Sequence, residues 1–135
     1  QLSDFKGKKV VLYFYPKDDT TGCTAEACSI RDNYSEFTKN QVEILGVSID
    51  SPKSHGKFAQ KYDLPFTLMS DEEKKVVNLY QAWGEKKFMG RTYMGTYRIS
   101  YLIDPKGIIR KTYENVKPAD HAGEVIKDLN EIANH

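Results

Sequence analysis

The sequence predicts an α/β fold in which a mixed central β-sheet carries helices on both faces. Short apolar, β-branched segments alternate with segments whose apolar residues recur every three or four positions, which is the pattern of βαβ units with parallel strands. Near the C-terminus, two apolar segments flank Asp104-Pro105-Lys106-Gly107, a typical turn between antiparallel strands. The two kinds of connection together predict a sheet with both parallel and antiparallel strands.

The N-terminal half provides two strands and two helices. Lys9–Tyr15 and Val42–Ile49 are predicted strands because both contain apolar runs rich in valine, isoleucine and aromatic residues. Between them, the span from Cys23 to about Lys39 is a predicted helix, because its apolar residues share one helical face. A shorter helix, Lys53–Tyr62, follows the second strand.

The middle of the chain is less regular. Leu64–Met69 is predicted to be extended, since the proline that follows Leu64 disfavours a helical conformation there. Ser70-Asp71-Glu72-Glu73 has the form of a capping box and predicts a helix that continues to about Tyr80. From Gln81 to Tyr97 glycines interrupt the pattern, so we expect a long functional loop. Trp83 either lies near the active site or packs beneath this loop.

The C-terminal part completes the sheet. Arg98–Ile103 and Ile108–Tyr113 are predicted to form a hairpin around the turn, and a last helix runs from about Pro118 to Asn134. The resulting order is three βα units, a hairpin and a helix. A thioredoxin-like arrangement is one member of the class of folds that this order predicts.

The composition excludes several classes of protein. With 135 residues the chain has the length of one domain with a substantial core, and we expect residues 1–135 to form it. A net charge of +1 provides no general attraction to nucleic acid or anionic lipid. The longest apolar run, Val10–Tyr15, is too short to span a bilayer. The chain starts at Gln1 rather than Met, so we expect an upstream segment to be missing.

The two cysteines, Cys23 and Cys28, lie where the first strand gives way to the first helix. Two cysteines are too few for a disulfide framework, and a close pair is more naturally used for redox chemistry. The start of a helix carries unpaired N–H groups and partial positive charge. Cys23 falls at that start, where these groups stabilise a thiolate and raise its reactivity at neutral pH. We therefore expect Cys23 to be a reactive thiolate.

Other residues provide what a thiolate needs to cleave a peroxide O–O bond. Pro16 forms a rigid wall without an N–H donor near the end of the strand. The hydroxyl of Thr20, three residues before Cys23, is within reach of the sulfur and of an incoming oxygen. The N–H groups of Gly22 and Cys23 are further donors for the developing oxygen charge. Arg98, which follows the predicted loop, is the candidate cation for the thiolate and the leaving oxygen.

The spacing of the cysteines predicts a conformational step. Five residues of α-helix correspond to about 7.5 Å of axial rise and about 500° of rotation, which places the two side chains on different faces. A disulfide requires Cα atoms within roughly 7 Å and Cβ atoms that face each other. Cys23 and Cys28 therefore cannot form a disulfide until the first turns of the helix unwind.

The motif Pro16-x-x-x-Thr20-x-x-Cys23 resembles the active-site motif of the peroxiredoxins. One branch of that family, peroxiredoxin Q or bacterioferritin comigratory protein, is similar in a longer string, Tyr13-Phe14-Tyr15-Pro16-Lys17-Asp18, together with Gly22-Cys23-Thr24 and Cys28. Further matching strings extend over nearly the whole chain: Val47-Ser48-Ile49-Asp50-Ser51, Ser54-His55-x-x-Phe58, Trp83-Gly84-Glu85-Lys86-x-Phe88-Met89-Gly90 and Arg98-x-Ser100-Tyr101-Leu102-Ile103-Asp104. A set of motifs this long is highly specific.

The resemblance implies a mechanism. Cys23 is the peroxidatic cysteine, which hydroperoxide oxidises to sulfenic acid, and Cys28 is the resolving cysteine, which condenses with it to an intramolecular disulfide. Pro16, Thr20 and Arg98 line the peroxide site, and Glu26 orients Arg98. A thioredoxin-type reductant restores the dithiol.

The resemblance also implies a monomer, and we expect a cytoplasmic location. We expect no cofactor, because the chemistry requires only thiols. The histidines are scattered at positions 55, 121 and 135, without the spacing of a metal site, so we expect no zinc.

Alternative readings of the same residues remain open at this point. Cys28 can be a small buried apolar residue, Thr20 a helix N-cap, and Arg98 a solvated charge at a strand end. The chain as a whole can instead be a dithiol–disulfide oxidoreductase or a redox-regulated binding module, although such proteins ordinarily use C-x-x-C rather than the C-x4-C found here. In a third reading, the cysteine pair is a structural clip.

Overall fold

A computed structural model describes residues 7–114 and 116–133, which are arranged around a five-stranded sheet. The elements in chain order are β1 (Lys9–Phe14), α1 (Thr21–Asp32), α2 (Tyr34–Lys39), β2 (Val42–Ser48), α3 (Pro52–Tyr62), β3 (Thr67–Ser70), α4 (Lys75–Leu79), β4 (Trp83–Phe88), β5 (Arg91–Thr96), β6 (Ser100–Ile103), β7 (Ile109–Tyr113) and α5 (His121–Ala133).

The sheet has the strand order β3-β2-β1-β6-β7, with β1 at its centre. Strand β1 pairs with β2 in parallel and with β6 in antiparallel orientation, β2 and β3 are parallel, and β6 and β7 form the antiparallel hairpin. The prediction of a mixed sheet is therefore confirmed. The turn between β6 and β7 is held by Asp104, whose carbonyl accepts from the Gly107 N–H at 2.9 Å.

Strand β1 is buried on both faces, and its alternating side chains divide the core in two. Val11 and Tyr13 pack with residues of α1, α2, α3 and α5 on one face, whereas Leu12 and Phe14 pack with residues of α4 on the other. Helices therefore cover both faces, as predicted, and the fold is thioredoxin-like. Among the described residues, no helix is long and apolar enough to cross a membrane.

The pairing of β1 with β6 determines where the two halves of the chain meet. Tyr13 is opposite Ser100, and the Phe14 N–H donates to the Ile99 carbonyl at 2.8 Å. Because the two strands are antiparallel, the residues just before β6 lie beside those just after β1. Arg98 is therefore brought to the edge of the sheet at which α1 begins.

The single helix predicted from Cys23 to Lys39 is wrong, because Asn33 divides it into α1 and α2. Asn33 leaves the helical conformation, with φ of −107° and ψ of 13°. Its side-chain amide donates to the Ser29 carbonyl at 2.8 Å, so the side chain replaces part of the helical hydrogen-bond pattern. Short polar side chains compete with the backbone in this way, and the apolar periodicity does not register it.

The long loop predicted from Gln81 to Tyr97 is also wrong, because this segment forms the antiparallel hairpin β4–β5. Met89 and Gly90 both have positive φ, 51° and 79°, as in the two-residue turns that match the twist of a hairpin. Most side chains of β5 are exposed, so the strand lacks the apolar alternation that reveals a half-buried strand. Trp83 packs with the core cluster of β1 and α4, whereas Cys23 belongs to the cluster on the other face of β1. Of its two predicted positions, Trp83 therefore occupies the one in the packing beneath this segment.

Two predicted helix starts differ from the structure. The predicted capping box is wrong: the Asp71 carboxylate accepts from the Val76 and Val77 N–H groups at 3.2 and 2.8 Å, and α4 begins only at Lys75. The last helix begins at His121, because a turn precedes it. Its predicted end, Asn134, lies outside the described residues.

Candidate active site

Cys23 lies in the first turn of α1 and is 2% exposed. The Thr24 N–H donates to the Thr20 carbonyl at 2.8 Å as the first step of the helical ladder. The N–H groups of Gly22 and Cys23 precede that step, so they have no acceptor within the helix. No acidic residue lies in the first turn to neutralise the partial positive charge of the helix end. This end of α1 is therefore suited to an anionic sulfur.

Arg98 provides the cation at the sulfur. Its Nη2 donates to Cys23 Sγ at 3.3 Å across a sequence separation of 75 residues. Gly22 leaves room for this contact, since a Cβ atom at that position would lie 3.0 Å from Arg98 Nη2. Although burial favours the neutral guanidine, Cys23 and Glu26 outweigh it and raise the pKa of Arg98. The reading of Arg98 as a solvated strand-end charge is therefore wrong.

Glu26 holds the guanidinium from the opposite side. Its Oε1 accepts from Arg98 Nη1 at 3.0 Å, and the side chain is fully buried. Burial raises the pKa of Glu26 to about 7, and the attraction of Arg98 opposes that rise only in part. Among the described residues, Glu26 Oε2 has no hydrogen-bond partner. The contact that the resemblance implied between Glu26 and Arg98 is thus present in the structure.

Thr20 and Pro16 lie in the loop between β1 and α1. The Thr20 hydroxyl donates to the Lys17 carbonyl at 2.8 Å and makes no side-chain hydrogen bond that caps α1. The hydroxyl oxygen keeps lone pairs for a further donor, because its proton is directed at Lys17. Pro16 is half-buried and lies two residues after the end of β1. Thr20 occupies the N-cap position in an extended conformation without serving as a side-chain cap.

Cys28 is half-buried on the same uninterrupted helix, and both cysteines are free thiols. Its neighbour Ser29 donates a hydrogen bond to the Ala119 carbonyl at 3.1 Å, which ties this part of α1 to the segment before α5. The intact helix separates the two thiols as the five-residue spacing predicts. The reading of the pair as a permanent structural clip receives no support, because the structure holds a dithiol on an ordered helix.

Comparison with known proteins identifies the family. The profile of the AhpC/TSA family matches residues 1–112, well over half of the chain. The chain belongs to the AhpC/TSA family.

Relatives within the AhpC/TSA family show to which branch of the family the chain is most similar. The chain is 46% identical to "Peroxiredoxin Bcp" of Bacillus subtilis over 133 residues, which cover 98% of this chain and 85% of that protein. It is 47% identical to "Peroxiredoxin Bcp" of Escherichia coli K12 over 132 residues, with the same coverage. These identities confirm the predicted branch.

Solved structures agree with the sequence comparison. A structure of bacterioferritin comigratory protein from Xanthomonas campestris, described for its alkyl peroxide reduction activity, superposes with a TM-score of 0.93 at 36% identity and covers 98% of this chain and 85% of its own. PrxQ of Xylella fastidiosa superposes with a TM-score of 0.94 at 34% identity and covers 98% of this chain and 82% of its own. The thioredoxin-like peroxiredoxin fold is thereby confirmed.

Sequence reasoning did not assign a role to Lys86, which the hairpin brings toward the active site of this AhpC/TSA protein. Its Nζ donates to the Thr96 carbonyl at 3.0 Å, two residues before Arg98. Gly95 leaves space for its stem, since a Cβ there would lie 3.0 Å from Lys86 Cδ. Burial and the charge of Arg98 lower the pKa of Lys86, whereas Cys23 acts in the opposite direction. Lys86 belongs to one of the strings that resemble the family, but no chemistry was predicted for it, because its strand was interpreted as a loop.

A second unpredicted group lies beside the loop that carries Thr20. Ligand atoms of Asp18, Asp50 and His55 lie within 4.8 Å of one another. Both carboxylates already accept hydrogen bonds from protein groups, among them Ser54 on Asp18 and Ser48 on Asp50. We therefore describe these residues as a hydrogen-bonded network and assign no metal to them.

The raised pKa of Glu26 leads to a prediction about stability. In the folded protein Glu26 keeps its proton up to about pH 7, whereas the unfolded chain releases it near pH 4.5. Stability falls with pH wherever the native state binds more protons, so Glu26 lowers the free energy of unfolding by about 3 kcal/mol across that window. In Glu26→Gln this loss should disappear. Urea denaturation between pH 4.5 and 8 measures it.

Glu72→Gln is the matched control, because Glu72 is an exposed carboxylate. It should retain the pH dependence of the wild type. If Glu26→Gln also retained it, the assigned protonation of Glu26 in the folded state would be wrong.

Proposed function

We propose that this chain reduces hydrogen peroxide and organic hydroperoxides at Cys23, with Cys28 as the resolving thiol and a thioredoxin-type protein as the reductant. The observation that carries the proposal is the contact of 3.3 Å between Arg98 Nη2 and Cys23 Sγ at the start of a helix. The chain is an enzyme of the peroxiredoxin type, as its relatives are. The alkyl peroxide reduction described for the Xanthomonas campestris relative supports organic hydroperoxides as substrates.

The first step oxidises Cys23. The thiolate attacks the terminal oxygen of the hydroperoxide, so that an S–O bond forms while the O–O bond breaks. The leaving alkoxide, or hydroxide from hydrogen peroxide, takes a proton from solvent, and Cys23 becomes a sulfenic acid. The Arg98 guanidinium and the N–H groups of Gly22 and Cys23 stabilise the negative charge as it moves from sulfur to oxygen. The Thr20 hydroxyl binds the peroxide, and Pro16 shields it from water.

The second step forms the disulfide. The first turns of α1 unwind, and the Cys28 thiolate attacks the sulfur of the sulfenic acid. The S–S bond forms as the S–O bond breaks, and the hydroxide that leaves takes a proton from solvent to become water. A dithiol reductant then attacks the disulfide, is itself oxidised, and restores both thiols. The helix re-forms and returns Cys23 to Arg98.

We further propose that residues 1–135 form one domain that acts as a monomer in the cytoplasm. An intramolecular cysteine pair supplies both thiols from the same chain, so the cycle requires no partner subunit. A reducing compartment is where free thiols and thioredoxin-type reductants coexist. The chemistry requires no bound cofactor. The alternative, a dithiol–disulfide oxidoreductase, is less compatible with two thiols that an intact helix keeps apart.

The test of the function is peroxide consumption coupled to a thioredoxin system. Cys23→Ser should consume no peroxide, because it lacks the nucleophile. Cys28→Ser should complete one oxidation and then turn over slowly with thioredoxin, because no intramolecular disulfide forms. Wild-type rates in Cys23→Ser would refute the peroxidase assignment, and normal turnover in Cys28→Ser would refute only the resolving role.

The role of Arg98 is tested by substitution with methionine, which keeps much of the length of the side chain without its charge. Arg98→Met should lower the second-order rate constant for oxidation of Cys23 by about 10²–10³, as the loss of one oxyanion donor does elsewhere. Arg110→Met is the control, since Arg110 forms an exposed ion pair in the β6–β7 hairpin. An unchanged rate in Arg98→Met, measured by stopped flow with hydrogen peroxide, would contradict the proposed role.

The unwinding step has its own measurement. Oxidation to the disulfide should lower the protection of backbone amides against hydrogen exchange from Cys23 to about Arg31, because the disulfide requires these turns to open. Helix α5 should keep its protection and serves as the internal control. Unchanged protection in α1 after complete oxidation would exclude the unwinding step.

A further inference from the structure

The loop between β1 and α1 is held in place by two consecutive aspartates. Asp19 is exposed and accepts from Lys61 Nζ at 2.8 Å and from the Tyr62 hydroxyl at 2.9 Å, both on α3. Asp18 is buried, with 8% of its surface exposed, and makes the more extensive set of bonds. Because Thr20 follows directly, the position of this loop sets the position of the threonine relative to Cys23.

Asp18 is bonded through both its side chain and its backbone. Its carboxylate accepts from the Tyr15 hydroxyl at 2.6 Å, from Ser54 Oγ at 2.7 Å and from His55 Nδ1 at 2.7 Å. Its N–H donates to Asp50 Oδ2 at 2.9 Å. The loop is thus attached at one residue to the end of β1, the segment after β2 and the helix α3.

The geometry around His55 specifies its charge. The side chain is 5% exposed, and its Nε2 lies 3.1 Å from the Met69 carbonyl oxygen. Its Nδ1 lies 2.7 Å from Asp18 Oδ2 and 3.3 Å from the Tyr15 hydroxyl oxygen. Because the Tyr15 hydroxyl donates its proton to Asp18 Oδ1 at 2.6 Å, it also presents lone pairs to Nδ1. A neutral imidazole would direct a lone pair at one of these oxygens. Only the doubly protonated ring donates from both nitrogens. This arrangement favours an imidazolium, which would join the loop to α3 and β3.

We propose that His55 is a positioning residue of the peroxidase reaction, and that as an imidazolium it holds Asp18 and thereby keeps Thr20 in register with Cys23. This inference rests on the proposed function. His55 does not contact the sulfur. It acts through the Asp18 side chain. We call the hydrogen-bonded group of Tyr15, Asp18 and His55 the loop clamp.

The charges around the loop clamp determine its pH range. Burial opposes ionisation of both partners, but the hydrogen bond and attraction of Asp18 raise the pKa of His55, and the bonds from His55, Tyr15 and Ser54 lower the pKa of Asp18. Asp50 favours the imidazolium from the segment after β2. Beside Asp18, the adjacent cavity is also lined by lysines of α3: Lys53, Lys57 and Lys61.

The direction of the pH effect follows from these shifts. The stabilisation from His55 is complete below its unfolded pKa near 6.5 and is lost as pH rises through the raised folded pKa. The stabilisation from Asp18 is complete above about 3.8 and is lost as pH falls through the lowered folded pKa. The loop clamp is therefore complete at neutral pH and loosens on the alkaline side when His55 loses its proton.

The wild-type protein allows a first test without substitution. Nitrogen-15 NMR of the histidine ring should show His55 doubly protonated at pH 7. Two rate constants are measured for Cys23, one with hydrogen peroxide and one with iodoacetamide. Both depend on the amount of thiolate, but alkylation by iodoacetamide does not require Thr20. The ratio of the first rate constant to the second therefore reports on how well the peroxide is positioned. This ratio should decline at alkaline pH with the midpoint of His55. A neutral His55 at pH 7 would overturn the inference. So would a ratio that does not change over the pH range in which His55 titrates.

The second test compares two variants. His55→Gln removes the cation from the loop clamp and should lower the ratio at pH 7 by about ten- to a hundredfold, because a misplacement of about 1 Å at a reacting centre can cost about 10² in rate. Lys111→Gln is the matched control, since Lys111 is the cation in a similar group at the other end of the sheet, where Asp128 accepts from Lys111 at 2.9 Å and from the Tyr113 hydroxyl at 2.6 Å. It should keep the wild-type ratio.

The outcomes separate this inference from the proposed function. If the wild type does not react with peroxide, the proposed function fails. If the wild type reacts and His55→Gln keeps both its ratio and its alkaline decline, the positioning role of His55 is refuted. If His55→Gln does not fold, the coincidence of the NMR midpoint with the alkaline decline in the wild type still decides the question.

Discussion

The contact between the Arg98 guanidinium and the Cys23 sulfur depends on the register of the sheet. The two residues are 75 positions apart, and they meet because β1 and β6 pair so that Tyr13 is opposite Ser100. A shift of that register by one residue would turn the side chains of a strand to the other face of the sheet. The charge at the active site is thus fixed by backbone hydrogen bonds in the core, rather than by the loops that surround the sulfur.

Glu26 and Arg98, beneath the site, are costly to bury. Their contact fixes the position of the guanidinium but adds little to the stability of the fold. Glu26 is fully buried, bonds Arg98 through one oxygen and, within the described part of the chain, leaves the other without a partner. Burial raises the pKa of Glu26 to about 7, so the attraction of Arg98 does not offset the desolvation of this carboxyl, and the contact contributes little net stability. What Glu26 does provide is a fixed direction for the guanidinium, whose two terminal nitrogens contact Glu26 and Cys23.

Local patterns predicted the order of elements in the main sheet, because buried strands and amphipathic helices leave clear apolar periodicities. The contact between Glu26 and Arg98 was implied only by the family resemblance, because no local pattern relates residues 72 positions apart. The hairpin β4–β5 was missed because β5 is largely exposed, so it lacks the apolar alternation of a half-buried strand. Its turn was missed because methionine is not a residue type typical of the positive φ that Met89 adopts. The loop clamp was missed for a different reason. Asp18 and His55 are 37 positions apart, and single polar residues carry no period that would place one beside the other. The bonding partner of the Thr20 hydroxyl was equally inaccessible to sequence reasoning.

In the proposed cycle, helix α1 holds Cys23 for the first step and releases it for the second. The two ends of this helix are supported unequally. Its N-terminal turn has no side-chain cap, whereas Arg31 donates to the Tyr62 carbonyl at 2.7 Å and Ser29 to the Ala119 carbonyl at 3.1 Å. Cys28 belongs to the better supported half. Oxidation converts the thiolate to a neutral sulfenic acid and so removes the attraction of Arg98 for the sulfur. In the proposed cycle, the reaction itself therefore weakens the contact that keeps Cys23 in the first turn. We expect unwinding to begin at this end of the helix, where it moves Cys23 toward Cys28.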